Sequence, residues 1–262
     1  MYIANNPISQ EYDGLIIELR KLNTLIDREN GYFIQVFLGK DKIAFAAPPL
    51  QLNGTTLVEF KSLFAKLGYQ VSYDATTKSI NGMKNGQKIT LKVGSKSAVV
   101  NGKTITLSQI PFIGNGITMV PLRFVAEASG LEVSWNAFNR NILIASKEEQ
   151  ILHTVAKNVE YSNQYHLEGY MNTYHEDYPK YDQLYDTASV LFTDYEFYTT
   201  LDSADIVSST ASEVTVRVVQ TIRFAPNNDY KDYRTDGLIT LKKDGGGMWA
   251  VIAEGTPNIT PL

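Results

Sequence analysis

A stretch of this chain occurs twice, 62 positions apart and without a gap. The first copy runs from Pro48 to Ile80 and the second from Ile110 to Ile142. Pro49 aligns with Pro111, Asn53-Gly54 with Asn115-Gly116, Thr56 with Thr118 and Val58 with Val120. Further on, Lys61 aligns with Arg123, Gly68 with Gly130, Val71-Ser72 with Val133-Ser134 and Tyr73 with Trp135. Duplication of a supersecondary unit constrains architecture before chemistry. One such unit is too small to bury its own core, so two should pack together.

Each copy has the same internal order. An Asn-Gly pair between two short apolar runs predicts a hairpin, because both residues tolerate positive φ. A helical period follows, through Phe60, Leu63, Phe64 and Leu67 in the first copy and Leu122, Val125, Ala126 and Ser129 in the second. Gly68 and Gly130 stand where a helix should close. An alternating strand comes next, with Val71 and Tyr73 or Val133 and Trp135. The unit reads hairpin, helix, strand.

The run NGITMVPLRFVAEASGLEVSWN, Asn115 to Asn136, resembles the repeat of the copper amine oxidase N-terminal-like (stalk) domain. The first copy is more divergent: Glu59 stands where the proline falls, and Asp74 keeps the final acid. With the lead-in segments 34–45 and 89–107, the resemblance covers about residues 34–146. It implies a non-catalytic module of secreted or cell-surface proteins of Gram-positive bacteria. Copper is not expected: residues 1–147 hold no His, the chain has no Cys, and copper(II) favours imidazole nitrogen donors.

The absence of cysteine excludes disulfides, thiol catalysis and zinc–thiolate sites. No run of some 18 apolar residues predicts a membrane span, and no secretory leader is visible at Met1. The net charge of −4 is unevenly divided. Residues 148–262 hold 8 Lys+Arg against 18 Asp+Glu, or −10, and residues 1–147 hold 16 against 10, or +6. That change of sign marks a boundary near Ser146–Glu148. A basic first half could sit on anionic cell-wall polymer or another surface protein; scattered surface lysines are the plainer reading. No Lys/Arg stripe interleaved with aromatics points to nucleic acid.

Three segments follow: 1–31, 32–147 and 148–262. In the first, Ile8, Tyr12, Leu15, Leu19, Leu22 and Ile26 form a short heptad seam. A helix over residues 8–29 could make a homo-oligomer or dock on the repeat region. In the last, Ile151, Leu152, Val155, Val159, Ser162 and His166 share one helical face, predicting a helix from Glu148 to Tyr165 and on towards Tyr174. The polar, Tyr-rich stretch 175–187 reads as a connector. Strands are expected over 190–200, 204–208, 213–224, 236–242 and 248–253, the last two joined by Gly245-Gly246-Gly247. A long helix followed by antiparallel strands is an α+β order, and it looks like the cone of the NTF2-like superfamily, with the closing stretch Thr235 to Gly255 carrying the likeness. That superfamily includes isomerases, dehydratases and binding modules, so fold alone does not choose.

Acid–base chemistry needs a titratable group held in a pocket with a partner. His166 continues the apolar face of Val155 and Val159 and is expected to point inward, with Tyr170, Tyr174 and Asp194 as partners in a ligand site. The alternative is a hydrogen-bonded structural histidine. His153 and His175 read as surface residues. His175, Glu176 and Asp177 lack the spacing of a helical metal site, so neither metal nor cofactor is expected. Seven tyrosines from Tyr161 to Tyr185 fall at near-helical steps, a composition that suits sugar or peptide recognition as well as packing. The expectation is a non-enzymatic binding or scaffold protein; the rival is a small-molecule enzyme with His166 as its acid–base.

Overall fold

A computed structural model of the protein describes residues 33–225 and 230–262. The heptad helix expected over residues 8–29 lies outside the described residues. The chain divides into two units. The first ends at Val133 and also takes Asn139–Ala145; the second takes Ser134–Phe138 and Ser146–Leu262.

In the repeat region the first copy forms β3 (Leu50–Leu52), β4 (Thr55–Glu59), α1 (Phe60–Lys66) and β5 (Gln70–Asp74), after β1 (Gln35–Leu38) and β2 (Asp41–Lys42). A meander follows: β6 (Ser79–Lys84), β7 (Gln87–Lys92), β8 (Ser97–Val100) and β9 (Lys103–Thr106). The second copy forms β10 (Phe112–Gly114), β11 (Ile117–Pro121), α2 (Leu122–Ala128) and β12 (Glu132–Asn136), and β13 (Asn141–Ala145) closes the region. Every element of one copy recurs 62 positions later in the other.

The two hairpins complete one another. They form one sheet in the order β10-β11-β4-β3, in which Val120 faces its repeat equivalent Val58 across antiparallel strands. Each copy thereby covers the open edge of the other. Both hairpin turns have positive φ at two successive residues, 48° and 73° at Asn53-Gly54 and 50° and 73° at Asn115-Gly116. That is the twist that matches antiparallel strands. Leu57, Val58, Leu63, Phe64, Met119, Val120 and Val125 are fully buried. Both helices end alike: Gly68 and Gly130 sit at φ 80°, and the next amide reaches back to Phe64 O in one and Ala126 O in the other. The divergent Glu59 also has a structural use. Its Oε2 accepts the Ala46 N–H at 2.7 Å and the Ser62 hydroxyl at 3.0 Å.

The second unit begins with α3 (Lys147–Asn163). Ser146 starts it with a reciprocal cap: its hydroxyl accepts the Glu149 N–H, and the Glu149 carboxylate accepts the Ser146 N–H at 2.9 Å. After α3 come α4 (Leu167–Met171), α5 (Tyr181–Asp194) and the strands β14 (Phe197–Ser209), β15 (Glu213–Phe224), β16 (Tyr233–Lys243), β17 (Trp249–Glu254) and β18 (Asn258–Pro261). The sheet order is β14-β15-β16-β17, with β18 sharing the β16 edge beyond β17. Ile151 and Val155 of α3 pack on Val214, Val216, Val218, Leu241, Trp249 and Val251 to form the core. The order is α+β: helices first, then an antiparallel sheet. Among the described residues no helix is long and apolar enough to cross a membrane.

Three expectations need correction. The first helix does not run on past Tyr165. Tyr165 takes φ 53°, and the amides of Tyr165 and His166 turn back to Ser162 O and Tyr161 O. That left-handed turn strains a side-chain-bearing residue. Here the side chain is anchored: the Tyr165 hydroxyl donates to Phe197 O at 2.7 Å and accepts the Phe197 N–H at 3.0 Å. The stretch expected as a connector is largely α5, whose Tyr181, Leu184 and Ala188 lie on one face. The strands expected over 190–200 and 204–208 are the end of α5 and one long strand, β14, with register shifts at Leu201/Ser203 and Ile206/Ser208.

Candidate functional site

The facing rows of β15 and β16 shape an internal space. Val216 pairs with Ile239, Val218 with Gly237 and Gln220 with Thr235. Along this face the row changes from apolar to polar, and Gly237 contributes no side chain opposite Val218. Nearby, β16 changes its edge partner from β17 to β18, and the connecting residues are tied by the Gly255 N–H to Leu238 O at 2.8 Å. The result is a cavity of about 180 Å³ between α3, Tyr170–Tyr174 and the sheet, lined also by Val155, Asn158 and Glu254. Sites for drug-sized ligands run to about 300–1,000 Å³, so this one suits a smaller molecule.

Its polar side is a row of tyrosines that ends on a carboxylate. Tyr170 belongs to α4. Tyr174 is held in place because residues 173–175 run beside β17: the Val251 N–H donates to Thr173 O at 2.9 Å and the His175 N–H to Val251 O at 2.8 Å. The Tyr170 and Tyr174 hydroxyls are 3.0 Å apart. Tyr174 donates to Glu254 Oε1 at 2.8 Å, and Tyr178 donates to Oε2 at 3.3 Å. Adjacent ring centroids are 5.4 Å apart for Tyr170–Tyr174 and 5.1 Å for Tyr174–Tyr178.

Electrostatics keeps these phenols neutral. Burial pushes the Tyr170 hydroxyl up to about 12. Tyr174 is raised well above its ordinary value, first by burial and then by Tyr170 and the Glu254 charge. Tyr178 is pushed up to about 12 by burial and by Glu254 beside it. At neutral pH the tyrosines are donors, not bases. Glu254, exposed at the mouth, is the charged residue among those that line the cavity.

The structure brings together two of the four residues expected at the site, Tyr170 and Tyr174. His166, expected to point inward, is exposed and caps α4, its Nδ1 accepting the Gly169 N–H at 3.0 Å. The turn at Tyr165 rotates it off the apolar face of α3. Its ring meets Phe138 and Tyr161, each with centroids 5.6 Å away. Asp194 is the exposed last residue of α5 and does not line the cavity. His175, expected at the surface, is buried. Its Nδ1 accepts the Asp177 N–H at 3.0 Å, and its Nε2 lies 3.3 Å from Lys243 O. Sequence reading missed Asn158, Gln220 and Glu254. The row Val214, Val216, Val218, Gln220, Ile222 carried a signal, since one polar residue interrupts an apolar alternation there. Glu254 had none, because it enters from the far end of β17.

The family model described as the copper amine oxidase N-terminal domain matches residues 37–144. The model described as the C-terminal domain of anti-sigma-I factor RsgI9 matches residues 153–262. No curated protein matches the chain. Among solved structures, an NTF-2 like protein of unknown function from Shewanella oneidensis is 12% identical, with a TM-score of 0.34 over 41% of this chain and 95% of its own. A ketosteroid isomerase-like protein from Erwinia carotovora is 15% identical, with a TM-score of 0.31 over 41% of this chain and 95% of its own. The helical cell shape determining protein Pgp2 from Campylobacter jejuni is 11% identical, with a TM-score of 0.32 over 74% of this chain and 98% of its own. The chain thus joins a region similar to the copper amine oxidase N-terminal domain to an α+β region similar to the C-terminal domain of anti-sigma-I factor RsgI9.

Proposed function

We propose that this chain is a non-enzymatic binding protein, working at the surface of a Gram-positive cell or outside it. The C-terminal cavity takes a small polar ligand, and the repeat region attaches or spaces the chain at the envelope. The observation that carries the binding reading is the cavity itself, lined by apolar residues of α3 and the sheet together with Asn158, Gln220, Thr235, the paired tyrosines and Glu254. A few convergent polar groups in an apolar hollow are the usual make-up of a ligand site. The matching family model names a regulator and not a catalyst, which supports binding over turnover. The rival reading, acid–base turnover in the same cavity, loses its intended base. His166 is exposed and committed to a helix cap. The charge of +6 over residues 1–147 supports contact with anionic wall polymer.

Two measurements on the full chain test this reading. The first is thermal shift against glucose, N-acetylglucosamine and glucosamine, repeated on Val218→Phe, which fills the cavity from β15. The reading predicts a ligand-dependent rise in melting temperature for the natural chain that Val218→Phe abolishes while still melting cooperatively. A rise that survives Val218→Phe places binding elsewhere and overturns the cavity site. The second is co-pelleting with purified Gram-positive cell walls. Pelleting that weakens with added salt supports envelope attachment, and no pelleting at low salt removes that part of the proposal.

A further inference from the structure

The cavity has one acidic side chain in its lining, Glu254. Among the described residues no Lys, Arg or His side chain forms an ion pair with Glu254. Its neighbours are hydroxyl donors, and two of them, Tyr174 and Tyr178, already use one carboxylate oxygen each. An ionised carboxylate has about four lone-pair positions, so room for further donors remains. Tyr170 and Tyr174, whose ring centroids are 5.4 Å apart, line the same cavity as Glu254. Aromatic faces attract cations and have no such affinity for anions. The remaining polar groups, Asn158, Gln220 and Thr235, can donate to or accept from hydroxyls.

From this arrangement we propose that the cavity selects a small, hydroxyl-rich molecule carrying a protonated amine. The ammonium sits at Glu254 beside the tyrosine rings, and the hydroxyls face Asn158, Gln220 and Thr235. The tyrosines have a second effect. Because they stay neutral and donate to Glu254, they hold its carboxylate at the mouth and add no negative charge that the ligand would have to offset. An anionic ligand of the same size is excluded by the same charge. This proposal rests on the reading of the cavity as a ligand site and adds the charge of its occupant.

The test is calorimetric titration of the full chain at mildly acidic pH with glucosamine, glucose and N-acetylglucosamine. These share a ring and differ in whether the nitrogen is absent, acylated or charged. Glucosamine is expected to bind at least about tenfold more tightly than either neutral sugar, the effect of one charge-assisted hydrogen bond. In Glu254→Gln, which keeps an acceptor but loses the charge, that preference should disappear. An unchanged melting temperature without ligand shows that the variant is folded. Equal binding of all three sugars, or a preference that survives Glu254→Gln, overturns the charge assignment while leaving a neutral-ligand cavity standing. Glucosamine failing to bind overturns the charge assignment as well. If neither neutral sugar binds either, the cavity reading loses its support too.

Discussion

Tyr165 shows how one residue can carry a turn that its backbone disfavours. The left-handed conformation at φ 53° is costly for a side chain with a β-carbon. The hydroxyl offsets it by satisfying both backbone groups of Phe197, and the ring packs on Phe192 and Phe197. Tyr165→Phe should therefore lose about 1–3 kcal/mol, because Phe197 N–H and C=O lose their partner. Urea denaturation would show it as a lower midpoint at unchanged slope; a loss below about 0.5 kcal/mol would mean that water replaces the hydroxyl. The cavity tyrosines give a pH dependence of definite sign. Tyr170 ionises near 10 when exposed and near 12 when folded, so the folded state holds the proton longer. The stability this contributes is complete below pH 10 and is lost as the pH rises from about 10 to 12. Tyr174 shifts in the same direction. Tyr170→Phe should flatten the fall in stability over that window, and an equally steep fall would remove Tyr170 as its source. His166 and Glu254 divide what residue types reveal from what they hide. His166 looked functional because it fell on a helical face, but the face ends at the Tyr165 turn, which no periodicity records. Glu254 directly follows the strand expected over 248–253, and nothing in the residues around it marks it out.

At the scale of elements, local chemistry and tertiary pairing act in different places. The Asn-Gly turns, the closing glycines of α1 and α2 and the alternation of β15 were legible because each is set by residues within a few positions of one another. The α5 helix was not. Its Tyr, Asp and Thr residues disguise a spacing of three and four at Tyr181, Leu184, Ala188 and Leu191, and its apolar face is defined by the core it covers. The length of β14 was hidden for a related reason. Asp202 interrupts the alternation at a bulge, where its carboxylate takes the Thr221 hydroxyl at 2.7 Å and pairs with Arg234 at 3.3 Å. The start of α3 is locally coded. Ser146→Ala removes one half of its reciprocal cap and should cost about 1 kcal/mol. A thermal melt that left the second unit unchanged would show that tertiary packing alone holds that helix end.

At the scale of the molecule, the two units answer different physical needs. The repeat region has a core made by duplication, with each copy supplying the strand partner the other lacks. The second unit puts its helices first and its antiparallel sheet after, and it leaves a space where Gly237 faces Val218. The sequence divides its charge unevenly, +6 over residues 1–147 and −10 over residues 148–262. The central claim is that the cavity between α3 and the sheet is where this chain meets its ligand. The most direct measurement is a glucosamine titration of the full chain carrying ring-labelled tyrosine, followed by NMR. The account predicts that the Tyr170 and Tyr174 signals, assigned by Tyr→Phe variants, move saturably while those of Tyr69 and Tyr73 in the repeat region stay in place. Saturable movement confined to Tyr69 or Tyr73, with Tyr170 and Tyr174 unmoved, would contradict it.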